Sequence, residues 1–349
     1  MSLPRLSCIL ACASLSILLS SSPSLAGEAF FSKDGKTVTM GLANALSGLV
    51  QVDIATGKIT QAPLPKDLKD EGIESVARGG DGEALFLAKD AVWVWTTGAA
   101  GVVKRVYSTA PVVGATDLFV ATKPGRPLTD GLFVSGHVKD AAEAAYSAGS
   151  FYGRKPGSKS KTFSSIFCRR VSDATGGVFS DDGRLFFISS GDLWEGGIAV
   201  DDDSGMDRLG TLVGARIAPL AISNTDEGNG GGMWVHHIAP AGNWIYVQLR
   251  GRHMATLLRT PMPAKPLHSP DVEDFPTVKA QLDAMKQSLT QTQIIADDLD
   301  DVFGFCATEV AGKPQVFYCT RTEAEGKGPA MLLWEGAGQA RVIGYLPQE

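Results

Sequence analysis

The sequence predicts an all-β fold, a six-bladed β-propeller of four-stranded antiparallel blades with one short helix in an insertion, and three observations predict it. A strand–turn–strand unit recurs along the chain, each time around a turn rich in Asp and Gly. Two further apolar strands follow most copies, so that one unit holds four strands. The 40 Gly and 18 Pro among 349 residues favour many turns and short strands over long helices. Radial stacking of four-stranded units protects their edges, which is the solution a propeller offers.

The repeat is clearest in AFFSKDGKTVTM (29–40), ARGGDGEALFLA (77–88), GVFSDDGRLFFI (177–188) and IAPAGNWIYVQ (238–248). Weaker copies are LTDGLFVSG (128–136) and VAGKPQVFYC (310–319). The turn residues Asp34, Asp81, Asp130, Asp182, Gly242 and Gly312 therefore mark successive units. The later strands of a unit are seen in GLVQVDIATGKITQ, AVWVWTTGAAGVVKRVY, GDLWEGGIAVDDDSGMDRLGTL and AMLLWEGAGQARVIGYL. Trp93, Trp95, Trp194 and Trp334 fall on the third strands and are expected to pack between neighbouring blades.

The FS-x-D-G-x-x-apolar pattern that begins at Phe31 and again at Phe179 resembles the TolB-type β-propeller repeat. The resemblance runs over essentially all of the chain after residue 26. It implies a binding face for proteins or other ligands, and enzymes that use this repeat often carry a separate catalytic domain, for which the chain has no room.

Residues 1–26 carry one positive charge, Arg5, then an uncharged apolar stretch from Leu6 to Leu19, then a Ser-rich segment ending in Ser24-Leu25-Ala26. That order is a secretory signal peptide cleaved near Ala26, and it implies a secreted or periplasmic protein whose residues 27–349 form a single propeller domain. No segment is apolar over a length that spans a membrane. With 32 Lys plus Arg against 38 Asp plus Glu, a net charge of -6, the chain lacks the basic excess of a nucleic-acid-binding surface.

Three stretches interrupt the repeat, at about 137–162, 214–232 and 261–290. By the connections they make, the first two should leave the upper face, where a protein or glycan ligand would bind, and the third should lie beneath. Val278, Leu282, Met285 and Leu289 form one apolar helical stripe in the third, expected to cap the domain. The basic segment GRKPGSKSK (153–161) reads as a solvated loop tip.

Motifs for zinc proteases, P-loops, serine hydrolases and zinc-spaced Cys/His sets are missing from the sequence. Of the five histidines, His236 and His237 sit on a predicted innermost strand, 233–238, where alternation turns one of them into the channel as a candidate base or ligand. An acid begins most innermost strands: Glu28, Glu74, Asp117, Asp173 and Asp301. Gathered at the upper channel mouth, these would raise one another's pKa unless a cation such as calcium or a basic side chain compensated. Six-bladed lactonases resemble this layout, with a channel metal held by Glu, Asp and Asn, and here Asn224 and Asn229 lie in an upper-face insertion. A metal-dependent lactonase or esterase is thus the alternative to a non-catalytic binding module. Cys306 and Cys319 flank the turn 311–314, and a symmetric hairpin would set them opposite each other as a disulfide or as two buried thiols; Cys168 has no evident partner.

Overall fold

The computed structural model describes residues 26–42, 48–69, 71–97, 101–109, 112–121, 131–138, 150–154, 163–169, 171, 174–200, 208–221, 232–251, 254–267, 277–321 and 326–347. The first sheet takes β1 (Ala26–Phe31), β2 (Thr37–Leu42), β3 (Gly48–Asp53) and β4 (Ile59–Gln61) in sequence order, and the second takes β5 (Ser75–Arg78), β6 (Glu83–Ala88), β7 (Ala91–Thr96) and β8 (Val102–Ser108) likewise. Next come β9 (Val112–Val120), β10 (Leu132–Val138), β11 (Ser150–Gly153) and β12 (Ser164–Arg169), then β13 (Thr175–Phe179), β14 (Leu185–Ser189), β15 (Asp192–Val200) and β16 (Arg208–Ala218). These two antiparallel runs are joined through parallel pairing of β12 with β16, giving one eight-stranded sheet. The last sheets are β17 (Trp234–Ala241), β18 (Trp244–Arg250), β19 (Ala255–Pro261) and β20 (Gln293–Leu299), and β21 (Val302–Val310), β22 (Lys313–Thr320), β23 (Ala330–Trp334) and β24 (Arg341–Tyr345).

The repeated turn has a chemical cause. In the first sheet the Ser32 hydroxyl donates to Asp34 at 2.7 Å and accepts from the Thr37 amide, while Gly35, at φ +69°, donates to the Ser32 carbonyl. In β13–β14 Ser180, Asp182, Gly183 and Arg184 repeat the arrangement, with Gly183 at φ +89°. Only glycine takes that backbone conformation without strain, which fixes the Asp-Gly pair at the hairpin.

Second and third strands such as β7 and β14 are buried on both faces because neighbouring sheets cover them, whereas β4, β8, β20 and β24 are exposed outer edges. Apolar cores form between consecutive sheets, and a core shared by Phe31, Met40 and Val52 with Phe303, Phe317 and Met331 closes the last sheet onto the first. Trp93, Trp95 and Trp334 are buried and Trp194 is half-buried within these cores, as expected.

Three expectations are corrected. β11 lies inside the stretch 137–162, and β16 runs on to Ala218, so the interruptions there are shorter than the sequence suggested. Helix α1 (Val278–Gln291), capped by the Thr277 hydroxyl accepting from the Ala280 amide, does join β19 to β20. It packs on β16 and β19 through Ala284 and Ser288, however, and Val278, Leu282 and Leu289 of its apolar stripe stay exposed. Small side chains let the helix approach the strands, and Ser288 bonds Thr260 of β19 at 2.8 Å. Lastly, the β21–β22 register sets Cys306 opposite Phe317 and Cys319 opposite Phe303, because the ladder shifts between Phe303 and Cys306. The two cysteines are buried free thiols, and burial raises the pKa of both.

Candidate functional site

The first strand of each four-stranded run, β1, β5, β9, β13, β17 and β21, faces a central channel, and their later halves, together with residues of β6, β7, β8 and β10, wall a cavity of about 740 Å³ that extends from the channel alongside the second sheet. Phe30, Phe119, Phe179, Ile238 and Phe305 supply apolar wall, and His237 reaches the cavity from β17. The mouth lies where first strands turn into second strands, at Gly79–Gly80 and Asp181. It is the end away from the predicted acids.

At the upper end, a shift in the β17–β18 register between Val235 and His237 makes His236 an extra residue and brings the two imidazoles within 4.3 Å, centroid to centroid. Simple alternation would have separated them. His236 Nε2 meets Arg250 Nη1 at 3.2 Å, and Arg250 Nη2 donates to Asp301 Oδ1 at 3.2 Å. Arg321 Nε lies 3.5 Å from the other Asp301 oxygen. Asp301 has φ +41°, a costly conformation for a residue with a side chain, and the two guanidiniums anchor it there. Burial, then His237 and then Arg250 hold His236 well below the ordinary imidazole pKa, so its ring is neutral and accepts from Arg250.

Asp117 is engaged as fully. Its Oδ2 accepts from Ser135, from the Thr116 hydroxyl at 2.9 Å and from the Gly176 amide at 3.2 Å, linking β9 to β10 and β13. The next amide, Leu118, donates to buried Ser75 on β5. Glu74 has a carboxyl pKa pushed up by partial burial, then by the nearby charges of Asp117 and Glu71, although its surface as a whole is exposed. The Glu74 carboxyl is thus raised first by burial and then by its acidic neighbours, while Asp301 and Asp117 meet arginines and hydrogen-bond donors. Among the described residues no three His, Cys, Asp or Glu side chains converge as a metal site would require. The side chains of Glu28, His137 and Cys168, and residues Asp173, Asn224, Asn229, His253 and His268, lie outside the described residues, as do residues 1–25 and most of the basic segment.

Sequence reasoning missed the arginines. Arg250 ends β18 and Arg321 directly follows β22, the second strands of neighbouring sheets, a position carrying no local motif, and only the fold brings them to Asp301. It also missed Trp234 and Met254, each 46% exposed on that same upper end. Trp234 is the cross-strand partner of Arg250, and Met254 closes the adjoining turn by accepting from the Gly251 amide.

No protein-family model matches the sequence, and no characterised protein matches it in sequence. Solved β-propeller structures do resemble it. A triple arginine-to-alanine mutant of AofleA from Arthrobotrys oligospora is 10% identical, over 93% of this chain and 86% of its own, with a TM-score of 0.50. An inactive virginiamycin B lyase from Staphylococcus aureus, solved with quinupristin, is 12% identical over 86% of this chain and 79% of its own, with a TM-score of 0.42. YCF48 bound to a D1 peptide is 11% identical over 92% and 82%, with a TM-score of 0.40. Enzymes and non-catalytic proteins both stand among these neighbours, so the likeness speaks to architecture alone. By its architecture the chain is a β-propeller protein.

Proposed function

We propose that the chain is a secreted or periplasmic, non-catalytic propeller of TolB-type repeats, with the eight-stranded sheet counted as two of six blades, and that its upper face binds a protein. The observation that carries this reading is the exposed pair Trp234 and Met254, beside Arg250 and Arg321 on one end of the channel. Tryptophan, methionine and arginine are the residues enriched in protein interfaces, and tryptophan and arginine dominate their hot spots. The carboxylates nearby are engaged by this chain's own donors, three of them on Asp117 Oδ2 and an arginine at each Asp301 oxygen, which fits a recognition surface.

The test is photo-crosslinking in the native host, with a benzophenone amino acid in place of Trp234 or, as a control, of exposed Val102 on the outer strand β8. A discrete protein adduct at 234 and none at 102 is expected, and it should disappear when Met254→Ala is added. Adducts at neither or both positions would overturn the reading; binding to a glycan array that is lost in Trp234→Ala would replace protein with glycan as the ligand.

The alternative, a channel calcium serving a lactonase or esterase, is favoured by one observation, the raised carboxyl of Glu74 beside Asp117. Elemental analysis of protein purified without chelator decides it. No stoichiometric calcium or zinc is expected; one ion per chain, lost in Asp301→Ala or Asp173→Ala, would move the reading to the enzyme.

A further inference from the structure

The cavity at the opposite end goes beyond that reading, because it is far larger than packing defects and neither Trp234 nor Met254 lines it. Its volume of about 740 Å³ falls in the range of small-molecule pockets. Its wall is mixed, with apolar side chains such as Phe30, Phe179 and Ile238 beside four charged residues, Arg78, Lys104, Glu83 and Asp181. Arg78 Nη2 pairs with Asp181 Oδ1 at 3.7 Å, and the partners come from β5 and from the β13–β14 turn, so the contact spans the mouth between non-adjacent runs of strands. The Asp181 side chain is 90% exposed. An ion pair so long and so solvated contributes little, so this guanidinium is held at an apolar opening by a counter-ion that is easily replaced.

Among the described lining residues Arg78 and Lys104 balance Glu83 and Asp181, so an incoming carboxylate would take the place of Asp181 at Arg78 rather than add to it. Asp181 occupies the variable position of the FS-x-D-G turn, where Ser180, Asp182 and Gly183 are fixed by the hairpin and the intervening residue is free to serve the channel.

We infer that the channel cavity binds an amphipathic anion, an apolar body ending in a carboxylate, whose head group displaces Asp181 from Arg78. A carboxylate meets a guanidinium through two parallel hydrogen bonds, which Asp181 at 3.7 Å does not achieve. The apolar body gains by leaving water for the walls formed by Phe119, Phe179 and Ile238.

Titration calorimetry with decanoate and with 1-decanol as the uncharged control tests the site in the purified protein. Decanoate is expected to bind at least about tenfold tighter than decanol, the discrimination of a charge-assisted hydrogen bond. Arg78→Gln should remove that advantage and leave decanol unchanged, Asp181→Asn should tighten decanoate several-fold, and Ala239→Trp, which fills the cavity, should abolish both. Arg78 and Asp181 are solvent-accessible, so the first two variants report even if Ala239→Trp fails to fold. No decanoate binding, equal affinity for the alcohol, or indifference to Arg78→Gln would overturn the inference. None of these outcomes bears on crosslinking at Trp234.

Discussion

Arg184 on the β13–β14 hairpin grips both carboxylate oxygens of Glu195 on β15, Nε to Oε1 and Nη2 to Oε2 at 2.9 Å each, and turns its remaining nitrogen to the Pro263 carbonyl at 2.7 Å. Pro263 follows β19, so the pair fastens the start of the long β19–β20 connection to the preceding sheet. Both side chains are nearly buried, and burial raises the Glu195 carboxyl pKa against the downward pull of Arg184.

Desolvation thus cancels much of what the pair gains, yet removing one partner strands a charge in the interior. Glu195→Ala should cost about 3–5 kcal/mol, and a paired Arg184→Met, Glu195→Leu replacement far less. Urea unfolding of the three proteins checks this, and a Glu195→Ala loss no greater than that of the double variant would contradict it.

His236 makes stability depend on pH. Its folded-state pKa is depressed by burial and by its neighbours, so the unfolded chain binds more protons as pH falls below the usual imidazole value of about 6.5. Stability should be full above that pH and fall below it with a slope of about one proton, because a protonated Nε2 would point at Arg250. His236→Gln should flatten this limb in melts between about pH 7.5 and 5; an unchanged slope would show that His236 stays neutral in both states or that another group is responsible.

Glu74 has the opposite sign for a carboxyl. Its folded pKa is raised, so the stability it offers is present below the unfolded value near 4.3 and is lost as pH rises through the folded one. At neutral pH Glu74→Gln should stabilise by roughly 0.5 kcal/mol or less, given its solvation, and the difference should vanish in acid. Greater stability of the wild type at pH 7, restored by added calcium, would be evidence for a cation at the upper mouth.

The fold was legible where a residue's chemistry is local. Ser32 and Ser180 close their turns with the Asp two positions on, and such turns can be counted from the letters alone. The face of α1 was misread because hydrophobicity favours Val278, Leu282 and Leu289, whereas close approach to β16 and β19 selects Ala284 and Ser288. At the upper end, the acids Asp117 and Asp301 were visible, but their donors come from up to 59 residues away, as Gly176 does. The bulge that pairs the imidazoles leaves no trace in an alternating pattern.

The parallel pairing of β12 with β16, from Ser165 opposite Arg208 to Arg169 opposite Val213, alters what counts as the smallest separable piece of this protein. Repeats that touch only through side chains can open one at a time, each with its own free energy. Here a backbone ladder ties residues 112–169 to 175–218, so amide protons on β12 and β16 should exchange together, and loss of either half would leave the other with an unsatisfied edge of its own making. The molecule is periodic in its spelling but not in its joints, and at this joint a doublet behaves as the indivisible unit.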